Sequence, residues 1–470
     1  MMLLSEAAKA INAELIGADA MLSSVNTDSR QVVAGQLFVA LKGENFDGHD
    51  YAQQAIEQGA AAVLVSHAIA GAEPALVVAD TYQALGELAA YWRSKFTLPL
   101  AAITGSNGKT TVKEMLASIL RAAAGNTEAV LATQGNLNNH IGLPLTLLKL
   151  TAQHRYAVIE MGMNHTGEIS YLTNIAKPTV ALINNAGNAH LGELGSFEAI
   201  AKAKAEIFEG LADDGVAVIN ADDVFAPLWL GLKGQRKVIS FGLKNSADVT
   251  ATYQLQVTAS VLEITTPLGL LNVHLPTPGA HNVMNALAAT AAAIGMNVPL
   301  SAITLGLESY AGVKGRLQHF AGQQGSLVID DSYNANPMSM KAAINVLVVR
   351  QGKKLLVLGD MGELGEDAIE MHAEIGRYAK TAGVDALFTL GELSAEMSRE
   401  FGAGAQHYST PQALTADLLT QISADSTVLV KGSRFMAMER IVREIVAEPV
   451  VDSTVDSRAQ KESNNLKGTH

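Results

Sequence analysis

The amino-acid sequence predicts an α/β chain of three domains, and three observations carry that reading. From about residue 98, short apolar runs ending in polar or glycine positions alternate with helical patterns, as in a mainly parallel sheet. One such run, "LPLAAITG", passes through a glycine-containing loop into the helical stretch "KTTVKEMLASILRAAA", the order strand, loop, helix of a phosphate site. After Gly315 a second series of runs begins, so the alternation restarts in a separate unit.

Residues 1–80 mix short elements: "GQLFVALKG" reads as a strand and "YAQQAIEQGAAAVLVS" as a helix running into another. "TYQALGELAAYWRSKF" is a helix that connects this unit to the next. In residues 81–315, "YAVIEMG", "PTVALINNA" and "GVAVINADD" are further strands of the parallel sheet. Residues 316–447 contribute "GSLVIDDSY", "KKLLVLGDMG", "VDALFTLG" and "STVLVKGS", with helices between. The polar, aperiodic stretch 448–470 reads as a disordered tail.

A chain of 470 residues with 48% hydrophobic content is long enough for several cores. The formal net charge of -13 argues against a nonspecific nucleic-acid binder. With no cysteine there are no disulfides and no thiolate metal sites, as suits a reducing compartment. "MMLLSEAAKA" has no basic start and no sustained apolar core, so no signal peptide is expected, and no apolar stretch reaches the ~18 residues of a membrane span. The expectation is a soluble, cytoplasmic monomer without membrane insertion.

The chemistry is concentrated at the predicted carboxyl ends of strands, where open α/β sheets bind ligands. In "TGSNGKTT", Gly105 and Gly108 allow a tight turn that brings backbone N–H groups onto phosphate oxygens. Lys109 reaches the terminal phosphates, and the Thr110 hydroxyl is placed for magnesium. The usual first glycine of such loops is replaced by Ile103, so the loop is short. Glu160 ends a strand, as a magnesium ligand or as a capping residue. "INNAGNAHLGELGS" offers Asn184, Asn185, Asn188 and His190 at another strand end.

In "SFEAIAKAKAEIFEGL", Phe197, Ile200, Ile207, Phe208 and Leu211 share one helical face, with Lys204 in its middle and Lys202 opposite. An inward lysine tends to lose its proton, and a neutral amine reacts with carbon dioxide to give an anionic carbamate. The alternative is a lysine that snorkels to the helix edge. Asn282 and Asn285 lie three apart on a small-residue helix, suited to an adenine edge or to helix capping. Arg316 stands at a domain junction within reach of a phosphate. "VIDDSYNANPMSM" places Asp330, Asp331, Tyr333, Asn334 and Asn336 after a strand, for a ribose hydroxyl, for magnesium, or as a turn rich in Asx residues.

Together these segments resemble the Mur ligases, ATP-dependent amide-forming enzymes of peptidoglycan precursor synthesis, over residues 1 to about 447. The family's shortened phosphate loop matches "TGSNGKTT", Thr104 to Thr111, so Thr104, Ser106, Asn107 and Thr111 join the nucleotide set. "GNLNNHIGLP" (with Asn138 and Asn139), "DDSYNANP" and "LGDMGELG" narrow the resemblance to the member acting on UDP-N-acetylmuramoyl-tripeptide and D-alanyl-D-alanine. The "DNPR"-like motif of the member that adds diaminopimelate or lysine is not found.

The resemblance implies an N-terminal domain for the UDP end, a central P-loop ATPase domain and a C-terminal Rossmann-like domain. It implies ATP, two magnesium ions and a carbamylated Lys204. It carries Asp28, Ser29 and Arg30 to the uridine segment, Asn282 to adenine, Arg316 to a phosphate or ribose, and Asp331 to the ribose. Lys431, Ser433 and Arg434 of "KGSR" fall near the dipeptide, with Asn334 and Asn336 also on the substrate side. Glu160, His190 and Lys204 would serve the second magnesium. Two positions after the histidine, Gly192 replaces the acidic residue frequent in the family, with Glu193 next to it. The expected chemistry is an acyl phosphate attacked by the dipeptide amine, with the third domain closing over the second. Two other readings are a folylpolyglutamate synthase, which shares the ATPase core, and a non-catalytic ATP-binding module.

Overall fold

A computed structural model of the chain describes residues 1–187 and 194–447. The disordered-tail expectation for 448–470 falls outside those residues, as does His190.

The long apolar runs become the centres of three separate sheets. The first has the order Glu14–Ile16, Ala75–Val77, Ala62–Val65, Gln36–Val39, Ser24–Asn26, parallel except for its first pair. The second is fully parallel: Lys237–Phe241, Val216–Asn220, Val180–Ile183, Leu100–Thr104, Tyr156–Glu160, Val130–Ala132. Its four inner strands are almost entirely buried because helices cover both faces, so they read as apolar runs without alternation. The third runs Gln318–Ala321, Leu327–Asp331, Ser426–Lys431, Lys353–Gly359, Ala386–Leu390, Ala405–Tyr408, with only the first pair antiparallel.

One element was not anticipated. Thr250–Leu255, Ser260–Thr266 and Gly269–Leu275 form a three-stranded antiparallel sheet. Leu262, Ile264, Leu271 and Val273 point from it into the core that also holds Met115 and Leu287.

The predicted connector, helix Thr81–Ser94, is a packed element. Its Leu85 and Leu88 share one core with Leu4 of the first unit and Ile169 and Leu172 of the second. Asp80 caps it by accepting from the N–H groups of Tyr82 and Gln83. Arg93, only 6% exposed, closes the far end. Its guanidinium donates to the carbonyls of Ala176 (3.0 Å) and Lys177 (3.4 Å), where a neighbouring helix ends, and to that of Phe96 just past its own helix. Removing the donor leaves the buried Ala176 carbonyl, and the half-buried ones of Lys177 and Phe96, without this partner. Arg93→Met is therefore expected to lower stability by about 2–4 kcal/mol, read as a lower urea midpoint at unchanged slope.

In the second sheet, Leu100–Thr104 pairs with Val180–Ile183 on one side and Tyr156–Glu160 on the other. The chain leaves the carboxyl end of this strand at the point where connections depart in both directions, the usual place for a ligand crevice. The phosphate loop is built there. No helix among the described residues is long and apolar enough to cross a membrane.

Candidate active site

The loop after Thr104 is held from behind by asparagines. Asn185 accepts from the Asn107 N–H through Oδ1 (2.8 Å) and from the Ser106 N–H through its carbonyl (3.0 Å). Asn184 Nδ2 donates to the Asn107 carbonyl (2.9 Å) and to Asn285 Oδ1 (3.1 Å). Gly108 has φ +78°, and a Cβ there would lie 2.4 Å from Asn285 Oδ1, so only glycine fits. The helix Lys109–Ala124 starts at this glycine with no side-chain cap. Its first-turn N–H groups and positive end are thus available to an anion.

Around the loop lies a cavity of about 1640 Å³, lined by the second and third units, including the helix Thr81–Ser94 that joins the second unit to the first. It is lined by Ser106, Asn107, Gly108 and Lys109, by Asn138, Asn139 and Glu160, and by Lys204. From the third unit come Arg316, Asp331, Asn334, Asn336, Lys431, Ser433 and Arg434. The predicted positions do not all meet here, and the exceptions are informative. Thr104, Gly105, Thr110 and Thr111 are buried in the loop and helix start rather than lining the cavity. Asn282 is buried and does not line it. Its amide donates to Thr277 Oγ1 (3.0 Å) and Pro278 O (2.8 Å), and its Oδ1 accepts from Asn285 (3.3 Å). To read an adenine edge it would have to release one of these. Asp28, Ser29 and Arg30 lie elsewhere: Arg30 Nε pairs with Asp28 at 2.8 Å on the surface, and this pairing holds the Asp28 carboxyl down at about 2.

Glu160 is 2% exposed at its strand end. One oxygen accepts from Asn138 Nδ2 (2.8 Å), while Oε2 is buried with no partner. A buried carboxylate oxygen without a donor suits a cation. On the donor side, Asn107 Nδ2 and Arg316 Nε are likewise buried without partners, as suits phosphate oxygens. These residues fit a magnesium–nucleotide pair, judged by the polar atoms they leave unspent.

Lys109 Nζ donates to the Gly105 carbonyl (2.5 Å). Burial lowers its pKa, the Glu160 carboxylate opposes this, and Arg316 lowers it further. Lys204, in the helix Phe197–Ala205, is 1% exposed. Its pKa lies well below the ordinary lysine value, first because of burial and then because of the Lys109 charge. The predicted inward face is present at Ile200, Ile207, Phe208 and Leu211, but Phe197 is 40% exposed: it stands in the helix's first turn, beyond the packed region.

The third unit touches the loop directly. Arg316 Nη2 donates to Thr110 Oγ1 (3.1 Å), and its guanidinium lies 4.5 Å from the Tyr333 ring centre. Asn336 Nδ2 donates to Asn107 Oδ1 (2.7 Å) while its Oδ1 caps the helix Pro337–Val348. Lys431 joins Asp331 (2.7 Å) to the Asn334 carbonyl (2.8 Å). Sequence reasoning missed Glu363, which lines the same cavity, although it lies in the quoted segment "LGDMGELG". It also missed Lys113, buried with Nζ on the Thr133 carbonyl (2.6 Å) beneath the loop.

Fold and site define an ATP-dependent, ADP-forming amide ligase, and the chain belongs to the Mur ligase family. Family models match as Mur ligase middle domain over residues 103–293, Mur ligase, glutamate ligase domain over 315–434, and Mur ligase family, catalytic domain over 22–93. The chain is 46% identical, over 94% of its length and 98% of the relative's, to UDP-N-acetylmuramoyl-tripeptide–D-alanyl-D-alanine ligase of Escherichia coli K12. A crystal structure of MurF from Acinetobacter baumannii superposes with a TM-score of 0.88 at 38% identity, covering 94% of this chain and 97% of that one. MurF of Thermotoga maritima in complex with ADP gives 0.80 at 28% identity, covering 90% and 96%.

Proposed function

We propose that this chain joins D-alanyl-D-alanine to the terminal carboxylate of UDP-N-acetylmuramoyl-tripeptide, with cleavage of ATP to ADP and phosphate. The observation that carries the reading is the single cavity in which the phosphate loop, the unspent Glu160 oxygen and the polar wall of the third unit meet. The printed names of relatives at 38–46% identity supply the two substrates. The domains are assigned as 1–80 for the UDP end, 81–315 for ATP and 316–447 for the acceptor, and the place of action as the cytoplasm.

The loop amides and Lys109 would hold the triphosphate. Thr110 and Glu160 would hold one magnesium; Glu160, carbamylated Lys204 and His190 are assigned to the second. When bound, these ions neutralise charge on the transferring phosphoryl group. The tripeptide carboxylate oxygen attacks the γ-phosphorus, the bond to ADP breaks, and an acyl phosphate forms. Lys109 faces the charge that develops. The dipeptide amine then attacks the acyl carbon, a C–N bond forms, and phosphate leaves. The third unit, resting on the loop through Arg316 and Asn336, screens the acyl phosphate from water.

The test is phosphate release from ATP with the nucleotide tripeptide, with and without D-alanyl-D-alanine. Release that needs all three, with a pentapeptide product by mass, is expected. Release only with a different amine would move the chain to another amide ligase, such as a folylpolyglutamate synthase. ATP binding without any acceptor-dependent release would make it a non-catalytic module.

A further inference from the structure

The loop Asp360–Glu363 follows the strand Lys353–Gly359 and is fixed residue by residue. The Asp360 carboxylate accepts from the N–H groups of Ser394 (2.7 Å), Glu392 (2.9 Å) and Leu393 (3.3 Å), and its carbonyl accepts from Ser433 N (3.0 Å). Met361 N donates to His372 Nε2 (2.9 Å), and Gly362 N to Ser433 Oγ (2.8 Å). Glu363 comes next, with φ +62°, a left-handed conformation that a glutamate adopts only against a steric cost. A loop fixed at three successive residues, ending in a strained carboxylate that lines the cavity, is built to aim that carboxylate.

The wall around it suggests the target. Ser433, Arg434 and Phe435 line the cavity beside Glu363. Phe435 packs on the loop, since a Cβ on Gly362 would lie 3.0 Å from its ring, yet the residue is 67% exposed. Glu363 and Lys109 line the same cavity, and the Glu363 charge favours the protonated form of Lys109 against its burial. The acceptor amine must reach an acyl carbon next to the γ-phosphate, which is to say next to Lys109. A carboxylate there favours a cation at that point, and the dipeptide brings one as its α-ammonium. Its opposite end is a carboxylate, for which Arg434 stands on the same wall.

We propose that Glu363 binds the α-ammonium of the acceptor dipeptide and so selects an acceptor with a free amine, with Arg434 toward the dipeptide carboxylate and Phe435 along its methyl groups. The assignment rests on the acceptor reading given above. It is tested with D-alanyl-D-alanine and propionyl-D-alanine, the same skeleton without the amine, the latter as a competitive inhibitor. In Glu363→Gln the KM for D-alanyl-D-alanine is expected to rise on the order of 10- to 100-fold, as for loss of a charged hydrogen bond. The inhibition constant of propionyl-D-alanine, and the KM values of ATP and the nucleotide tripeptide, stay within about twofold. Glu363→Asp gives an intermediate KM and carries the test should the Gln variant fail to fold.

An unchanged dipeptide KM overturns the proposal. So does equal weakening of both ligands, which marks a structural role, or a parallel change in ATP KM and magnesium requirement, which marks a metal role. A wild-type chain that releases no phosphate with the dipeptide overturns the acceptor reading and this assignment with it. That result is distinct from an active wild type whose Gln variant keeps its dipeptide KM.

Discussion

Lys109→Met lowers the rate of phosphate release on the order of 10³-fold while the protein stays folded. The argument starts from where the charge sits. Lys109 is the first residue of the helix that leaves the loop, and its Nζ folds back onto the Gly105 carbonyl, spanning the turn that would cradle the phosphates. In the phosphoryl transfer, charge moves onto oxygens at that point, and a fixed cation there stabilises the transition state more than the ground state. Losing one such group in a site closed to water costs up to about 4 kcal/mol, which is the stated factor. The loop itself does not depend on this side chain. Asn184 and Asn185 hold its backbone from behind and the Ser106 hydroxyl accepts from the Gly187 N–H, so methionine, of similar length, leaves the scaffold intact. The measurement is kcat beside a melting curve: a folded variant losing less than tenfold would remove Lys109 from the chemistry.

How much of this was legible in the sequence depends on how local the cause is. "LAAIT", "VALI" and "VAVIN" announce strands because both of their faces are covered. The sheet 250–275 was not read, because only every second residue of Ser260–Thr266 is buried and its polar partners break the apolar run. The inward direction of Lys204 followed from helical spacing, which is local. The asparagine network under the loop is not local: Asn184 meets Asn285 across 101 positions, and Arg316 meets Thr110 across 206. Likewise Glu363 owes its aim to Ser433, 71 positions beyond Gly362. No spacing rule encodes such pairings: two of them exist only once their own unit has folded, and that of Arg316 with Thr110 only once the third unit rests on the second.

Lys204→Met is expected to lower kcat on the order of 10²-fold and to raise thermal stability at neutral pH. The two effects have one cause. Lys204 sits among Ile200, Ile207 and Phe208, and among the described residues its Nζ makes no hydrogen bond or ion pair. Burial and the Lys109 charge both disfavour its proton, so its pKa in the folded chain is lowered. The unfolded chain, with the ordinary value near ~10.4, then binds more protons than the folded one. Stability therefore rises with pH across that window. The cost is complete below the folded pKa and gone above the ordinary one. Methionine keeps the volume and does not titrate, so its advantage over lysine is largest at low pH within the window and closes as pH rises toward ~10.4. A variant less stable than wild type at neutral pH would mean that the amine is compensated. On the reading proposed above, the same neutral amine would take up carbon dioxide: the nitrogen would bond to carbon, a proton would leave, and a carboxylate would result in the cavity that Glu160 also lines. Wild-type turnover is accordingly expected to fall in buffer freed of carbon dioxide and to return with bicarbonate, while the residual turnover of Lys204→Met ignores both. Indifference of the wild type to bicarbonate would leave Lys204 as a buried neutral amine and remove the carbamate from the metal site.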